Sequence, residues 1–314
     1  MTIFLLRRSA GLVATLLGVS FVVFWIMNAL PGDPALVILG IDSTPQAQEA
    51  LRQQLGLDRP FFERYLAWLG GMLVGDFGTS YSFRLPVAQL VVDRMSLTLS
   101  LAALGMTLTI AMALGLGVLA ASSHRRPADW LVMLGSQLGI AIPAFWLSIL
   151  LVIVFAVNLR WLPPGGFPGW GDPVAALRAL VLPTLALAVV QAAVLARVTR
   201  SALLEVSRLD FVRTARAAGL SRGRVLWLHM LPNAMVPIIT IVGMQFANVL
   251  TGTIVIENVF SLPGLGRLAY QAISNRDLPL VQALVVLFAA IVVIVNFAVD
   301  IAYGFIDPKL RTAR

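Results

Sequence analysis

The sequence holds no cysteine among its 314 residues. That excludes disulfides, iron–sulfur ligation and thiolate zinc sites. Histidine is almost as scarce: His124 and His229 are the only two, and no H-E-x-x-H pair exists. Metal chemistry therefore has no ligand set to start from. Lysine occurs once, at Lys309. A nucleotide-binding P-loop needs its lysine within G-x-x-x-x-G-K-[ST], and no such run is present. Charge itself is sparse. Charged residues make up 12% of the chain, against roughly 25% in a soluble domain, which is too little to clothe a solvated surface.

What is there is apolar. Hydrophobic residues reach 59% and the mean hydropathy is +0.89, the composition of an integral membrane protein. A spanning helix needs about 20 apolar residues to cross roughly 30 Å of hydrocarbon. Six runs qualify: about Ser9 to Leu30, Leu97 to Ala121, Trp130 to Val157, Leu180 to Val198, Ala234 to Ile256 and Val281 to Phe305. None alternates as a barrel strand would, and barrel strands are about half as long. The spans are read as helices, which satisfy their own backbone hydrogen bonds in lipid. The first run follows Arg7 and Arg8, as a signal peptide would. Its apolar stretch exceeds the usual roughly 7–15 residues and no A-x-A site follows, so it is read as a span. Pro183 weakens the start of the fourth run, and Pro143 predicts a kink in the third.

The formal charge of +8 is almost all arginine. Arg7 and Arg8, then Arg125 and Arg126, then Arg197 to Arg224, then Lys309, Arg311 and Arg314 fall in segments that six spans put on one side. The positive-inside rule makes that side cytoplasmic, with both termini there. This topology accounts for the basic pI without nucleic acid. The intervening segments are balanced or acidic.

Residues 31–94 are too long for a plain turn. Thr44-Pro45 starts a helix and Gly56 can end it. Phe61, Phe62, Tyr65, Leu66, Trp68 and Leu69 then form an amphipathic helix, at the membrane surface or packed on neighbours. Trp161 to Pro173, rich in Pro and Gly, reads as an ordered turn. Glu257 to Pro279 is too apolar for a solvated loop and is expected to dip back into protein. The segment from about Thr199 to His229 is polar, basic and long enough for two short helices. Asp210 to Ala218 is the first, Gly219 ends it in a left-handed conformation, and Ser221 caps the second, which runs toward Leu231-Pro232. Such a knob exceeds what a topological loop requires and reads as a docking surface.

This segment resembles the signature of binding-protein-dependent ABC importer permeases, E-A-A-x3-G-x9-I-x-L-P. Gly219 takes the glycine place, Leu231-Pro232 the L-P, and Ala215 the second alanine. Arg213, Thr214 and His229 depart from the general motif. They fit its peptide/nickel branch, which the run from Asp210 to Leu220 resembles. Leu55 to Pro60, Gly75 to Gly78, Glu257 to Gly266 with Asn275 to Asp277, and Pro31 to Pro34 resemble other parts of that branch, in order.

The resemblance implies an all-α integral membrane protein of six transmembrane helices. Its fold would be that of type I ABC importer permeases (MetI-like), with an extracytoplasmic helical insertion after the first helix. Residues 1–30 would be the N-terminal tail and first span, and 31–94 the extracytoplasmic segment. Residues 95–305 would be the permease core, with a coupling loop at about 199–230, and 306–314 the cytoplasmic tail. The implied partners are a second homologous permease, two ATP-binding subunits carrying ATP and Mg, an extracytoplasmic substrate-binding protein and membrane lipid. No cofactor is expected in this chain. The site would be a bacterial inner membrane. Asp210, Arg213, Ala215, Arg216, Gly219, Leu231 and Pro232 would form the ATPase-docking loop, and span five would line the pathway. Gln245, Asn248 and Thr251 are its polar members, spaced to share one face. They read either as pathway lining or as helix–helix hydrogen bonding. Dipeptides, oligopeptides, nickel complexes and glutathione are all substrates the resemblance allows.

The alternative is an ATP-independent secondary transporter, which would favour internal repeats and buried mid-membrane charge. Neither is visible. An intramembrane protease lacks its base, since both histidines sit at loops. Two G-x-G-x-x-A runs, at Gly115 and Gly264, follow no strand and are not dinucleotide sites. The glycines of span two are expected to permit close helix packing.

Overall fold

The computed structural model describes residues 2–29, 34–40 and 43–306. The expectations for Pro31 to Asp33 and for Lys309, Arg311 and Arg314 lie outside these. Among the described residues the regular structure is helical, apart from one isolated bridge between Thr79 and Pro86. Among the described residues, five helices are long and apolar enough to cross a membrane, and a bent pair makes a sixth if it crosses as one.

Helix α1 is Thr2–Ala29. The insertion after it is helical as expected, with α2 at Pro34–Leu39, α3 at Pro45–Gln54 and α4 at Phe61–Leu73. Thr44 caps α3 by accepting a hydrogen bond from the Ala47 N–H, and Gly56 follows at φ +64°. Helix α5 is Val87–Ser122. The third apolar run is not one kinked helix. It is α6, Pro127–Ala141, and α7, Ala144–Leu151, continued by a π-helical stretch Val152–Asn158, with a bend of 103° between them. Pro143 has no N–H to donate and its ring crowds the preceding turn. Ile142 and Pro143 accordingly adopt extended backbone, ψ 122° and 136°, as the residue before a proline prefers.

Helix α8, Pro173–Val206, carries Pro183 inside it without a break. Asp172 caps it through the N–H groups of Val174 and Ala175. Because α8 runs to Val206, Thr199 to Val206 are helix rather than loop. Helix α9 is Asp210–Ala217. The second short helix does not stop at Leu231-Pro232. Helix α10, Arg222–Val225, passes through a π turn, Leu226–Met230, into α11, Leu231–Val259. Pro232 cannot donate to the carbonyl of Leu228, and the wider π turn just before it lets the helix absorb that missing bond. The segment Glu257 to Pro279 is likewise no irregular loop: it holds α12, Leu265–Ser274, before α13, Leu278–Ile306.

The chain divides into two compact units, one built on residues 99–262 with the end of α13 from Val295, the other on 5–98 with 263–294. In the first, α8 is the buried centre, with Ala186, Ala188, Leu195 and Ala196 fully covered. Small residues allow this. A Cβ on Gly117 of α5 would come within 2.5 Å of the Thr199 Cβ, whereas Gly115 has open space. Of the Gly115–Gly117 pair, therefore, Gly117 alone is a packing site, while a Cβ on Gly105 earlier in the span would meet Leu187 at 3.4 Å. In the second unit, Val87, Leu90 and Val91 of α5 pack with Leu265, Leu268, Leu280 and Leu284. Asp277, fully buried, accepts hydrogen bonds from the Ser80 hydroxyl and the N–H groups of Tyr81 and Ser82. It ties the turn before α5 to the start of α13.

Candidate functional site

Helix α9 is held by a narrow apolar edge. Val212 is fully buried in a cluster with Ala202, Leu203 and Val206 of α8, Val225 of α10 and Met230 and Ala234 beyond it. Ala215 and Leu220 pack against the same cluster in part. Asp210 in its first turn and Arg216 in its last complement the helix dipole. The exit is a Schellman turn. Gly219 N–H donates to Arg216 O at 3.0 Å, Leu220 N–H donates to Ala215 O at 3.3 Å, and Gly219 sits at φ +82°. This satisfies carbonyls that the helix end would leave open and requires a left-handed residue at the glycine. Ser221 then accepts from the Arg224 N–H at 3.4 Å and starts α10.

The rest of α9 is exposed. Asp210, Arg213 and Arg216 face outward. Asp210 and Arg213 pair at 3.5 Å with both side chains largely in solvent, a contact worth little to stability and free to exchange for a partner. Leu209 and Phe211 stand exposed beside them, which the charge-based sequence reading passed over. Leu231 is half-buried and Pro232 exposed, both within the continuous helix. The fold thus brings Asp210, Arg213, Ala215, Arg216 and Gly219 onto one short element and leaves Leu231 and Pro232 on the next.

On α11, Gln245 is buried and Asn248 and Thr251 are exposed. Gln245 Nε2 donates to Gln191 O of α8 at 3.4 Å, and Asn248 Nδ2 donates to Gln245 Oε1 at 3.2 Å. Thr251 returns its hydroxyl to Ala247 O.

Two features escaped the sequence. At the start of α6, buried Asp129 receives Arg200 Nε and Nη2, the latter at 2.8 Å, and the Arg125 N–H at 3.1 Å. His124 Nδ1 lies 3.2 Å from the same carboxylate. Arg200 belongs to α8, so this cluster joins α6 to α8 a few residues before α9. A carboxylate 71 positions from its guanidinium leaves no periodic signal. The second feature is a cavity of about 800 Å³ beside α3 and α4, lined in part by Glu49, Arg52, Asp58, Arg59, Arg64 and Tyr81. Burial and the nearby Asp277 carboxylate push the Tyr81 phenol up, keeping it neutral.

A family model for the binding-protein-dependent transport system inner membrane component matches residues 113–312. One for the N-terminal part of binding-protein-dependent transport system membrane components matches residues 1–102. A Brucella abortus (strain 2308) protein named as a peptide transport system permease is 41% identical over 312 residues, covering 99% of each chain. The glutathione transport system permease protein GsiC of Escherichia coli (strain K12) is 40% identical over 308 residues, 98% of each. Among solved structures, the inward-facing MetNI methionine ABC transporter matches with a TM-score of 0.57 at 19% identity. That match covers 70% of this chain and 97% of the other. An amino acid ABC transporter matches at 0.51 and 18%, covering 68% and 92%.

Proposed function

This chain belongs to the family of binding-protein-dependent transport system inner membrane components, ABC importer permeases of the type I fold, and from that premise we propose how it works. It is a permease subunit and not itself an enzyme. A second, homologous permease completes the translocation pathway. Two ATP-binding subunits, carrying ATP and Mg, dock on the cytoplasmic side against α9 and the Gly219 turn, and a binding protein delivers substrate from outside. The chain is a multi-pass protein of a bacterial inner membrane with both termini cytoplasmic.

The observation that carries the docking reading is the construction of α9. Val212 fixes it to the α8 core while Leu209, Asp210, Phe211, Arg213 and Arg216 remain exposed. A short helix rigidly seated on the most buried of the described spans transmits a push as a rigid-body movement. Arg213 and Arg216 offer a partner forked guanidinium groups, and Phe211 an apolar anchor. In the transport half of the reading, Asn248 and Thr251 face the pathway while Gln245 orients Asn248. Named relatives carry peptides and glutathione, so the substrate proposed here is a short peptide or peptide-like solute. Nothing supports the ATP-independent alternative.

The test is co-purification from the native membrane after mild solubilisation. A second permease and ATPase subunits are expected to accompany the chain, with ATP-dependent uptake of a labelled dipeptide or of glutathione in vesicles. A chain that elutes alone after crosslinking, with no nucleotide hydrolysis, contradicts the reading.

A further inference from the structure

Helix α4 carries two apolar faces, and only one is covered. Phe61, Tyr65 and Trp68 pack on α1: Phe61 lies 5.3 Å from Phe24, Tyr65 5.4 Å from Phe21, and Trp68 5.3 Å from Phe24. The Tyr65 hydroxyl lies 3.0 Å from that of Ser20. The other face is Phe62, Leu66, Leu69 and Leu73, spaced four, three and four apart, which makes one stripe along the helix. Phe62, Leu66 and Leu73 are 67%, 63% and 82% exposed. Water is a poor solvent for such a stripe, and the position of α4 along α1 says what replaces it.

Arg8–Ala29 is a span of 22 residues, about 33 Å of helix, close to the hydrocarbon thickness of roughly 30 Å. Ser20, bonded to Tyr65, sits about 14 Å before Ala29 and Phe24 about 8 Å. The contacts with α4 therefore fall inside the half of the bilayer that holds the end of α1, not beyond it. Helix α1 cannot slide outward to lift them clear. Moving it by two turns would draw Arg8 about 11 Å into hydrocarbon, where charge is costly. The polar residue on the covered side of α4 agrees with this depth: Arg64 donates to Asn28 Oδ1, at the very end of α1, as a side chain reaching toward the interface would.

We infer that α4 is embedded in the membrane and that the stripe of Phe62, Leu66, Leu69 and Leu73 is solvated by phospholipid acyl chains. It anchors the insertion after α1 in one leaflet. The inference rests on α1 crossing the bilayer and does not depend on the transport reading.

The absence of cysteine gives a direct test in the full chain, kept with the subunits that co-purify. Single variants Phe62→Cys, Leu66→Cys and Leu73→Cys are spin-labelled and reconstituted into phosphatidylethanolamine–phosphatidylglycerol vesicles. Collision with oxygen, which concentrates in lipid, is compared with collision with a water-soluble nickel chelate. Val13→Cys on α1 serves as the lipid-facing control and Gln53→Cys on α3 as the aqueous one; both parent residues are exposed. The expected result is a mobile label at 62 and 66 with the oxygen-dominated ratio of Val13→Cys. A nickel-dominated ratio like that of Gln53→Cys means the stripe faces water and overturns the inference. An immobilised label shielded from both reagents means a protein partner covers it, and overturns the inference equally. Because the readout is local collision, a chain that proved not to be an importer would still give one of these three answers.

Discussion

Replacing Asp129 with alanine leaves Arg200 without the carboxylate that receives two of its nitrogens. Asp129 is 3% exposed, and the Arg200 side chain keeps 21% exposure. Breaking a fully buried pair costs about 3–5 kcal/mol, because the surviving charge stays desolvated. The residual access of Arg200 lets water compensate in part and brings the cost below that range, to about 2–3 kcal/mol. The carboxylate also accepts from the Arg125 N–H, where Arg125 is held at φ +63°. Loss of the carboxylate therefore loosens the α5–α6 turn as well. The assay is reversible unfolding of the purified chain in mixed micelles of rising SDS fraction, for Asp129→Ala, Arg200→Ala and the double variant. The double variant is expected to cost clearly less than the sum of the singles, with a coupling of at least about 1.5 kcal/mol. Additivity to within about 0.5 kcal/mol would refute the reasoning, since neighbours that do not interact add. Loss of stability in Asp129→Ala that Arg200→Ala does not share would place the effect in the Arg125 turn instead.

Gly117→Val should destabilise by about 1–3 kcal/mol, since the new Cβ meets Thr199 at 2.5 Å. Gly115→Val, with open space, should be much milder, and equal effects would contradict the packing of α5 on α8. Thr44→Ala removes the cap of α3 and costs about 1 kcal/mol, so amide exchange across Pro45–Gln54 should speed up about fivefold while α4 is unaffected. Ser80→Ala deprives Asp277 of its hydroxyl donor, a bond to a charged group worth about 1.5–3 kcal/mol. Proteolysis within residues 74–86 should rise, and unchanged protection would show that the backbone N–H groups alone hold the turn.

The spans were legible because hydropathy is a sum over many residues and survives local error. Val281 to Phe305 falls inside α13, and the first run lies in α1 as far as Ala29, its last described residue. Caps were legible for the opposite reason, as Thr44, Gly56, Gly219 and Ser221 act through their own backbone chemistry. The effect of a proline depends on its surroundings and was only partly legible. Pro143 was read as a kink but ends a helix with a bend of 103°, because Ile142 before it is released to extended backbone. Pro232, toward which the second short helix was expected to run, is carried through a π turn, where surrounding packing of Met230 and Ala234 outweighs one lost bond. The apolar segment Glu257 to Pro279 hid a helix because two short connections around α12 broke its periodicity. At the candidate site, α9 and its turn were local and readable. The Asp129–Arg200 pair and the Ser80–Asp277 tie were not, because each joins residues far apart in sequence.

In the proposed docking, the Gly219 turn holds α9 in the form an ATPase subunit recognises. Its most direct test is affinity purification of Gly219→Val beside the wild-type chain, with the bound ATPase quantified and the partner permease as internal reference. A side chain at φ +82° costs about 1–2 kcal/mol in the left-handed region, and no neighbour lies within 4 Å to clash. Gly219→Val is expected to retain several-fold less ATPase per partner permease, with most of it restored in Gly219→Asn, whose side chain tolerates that backbone. ATPase recovery equal to wild type in Gly219→Val, with the partner permease still bound, would contradict it.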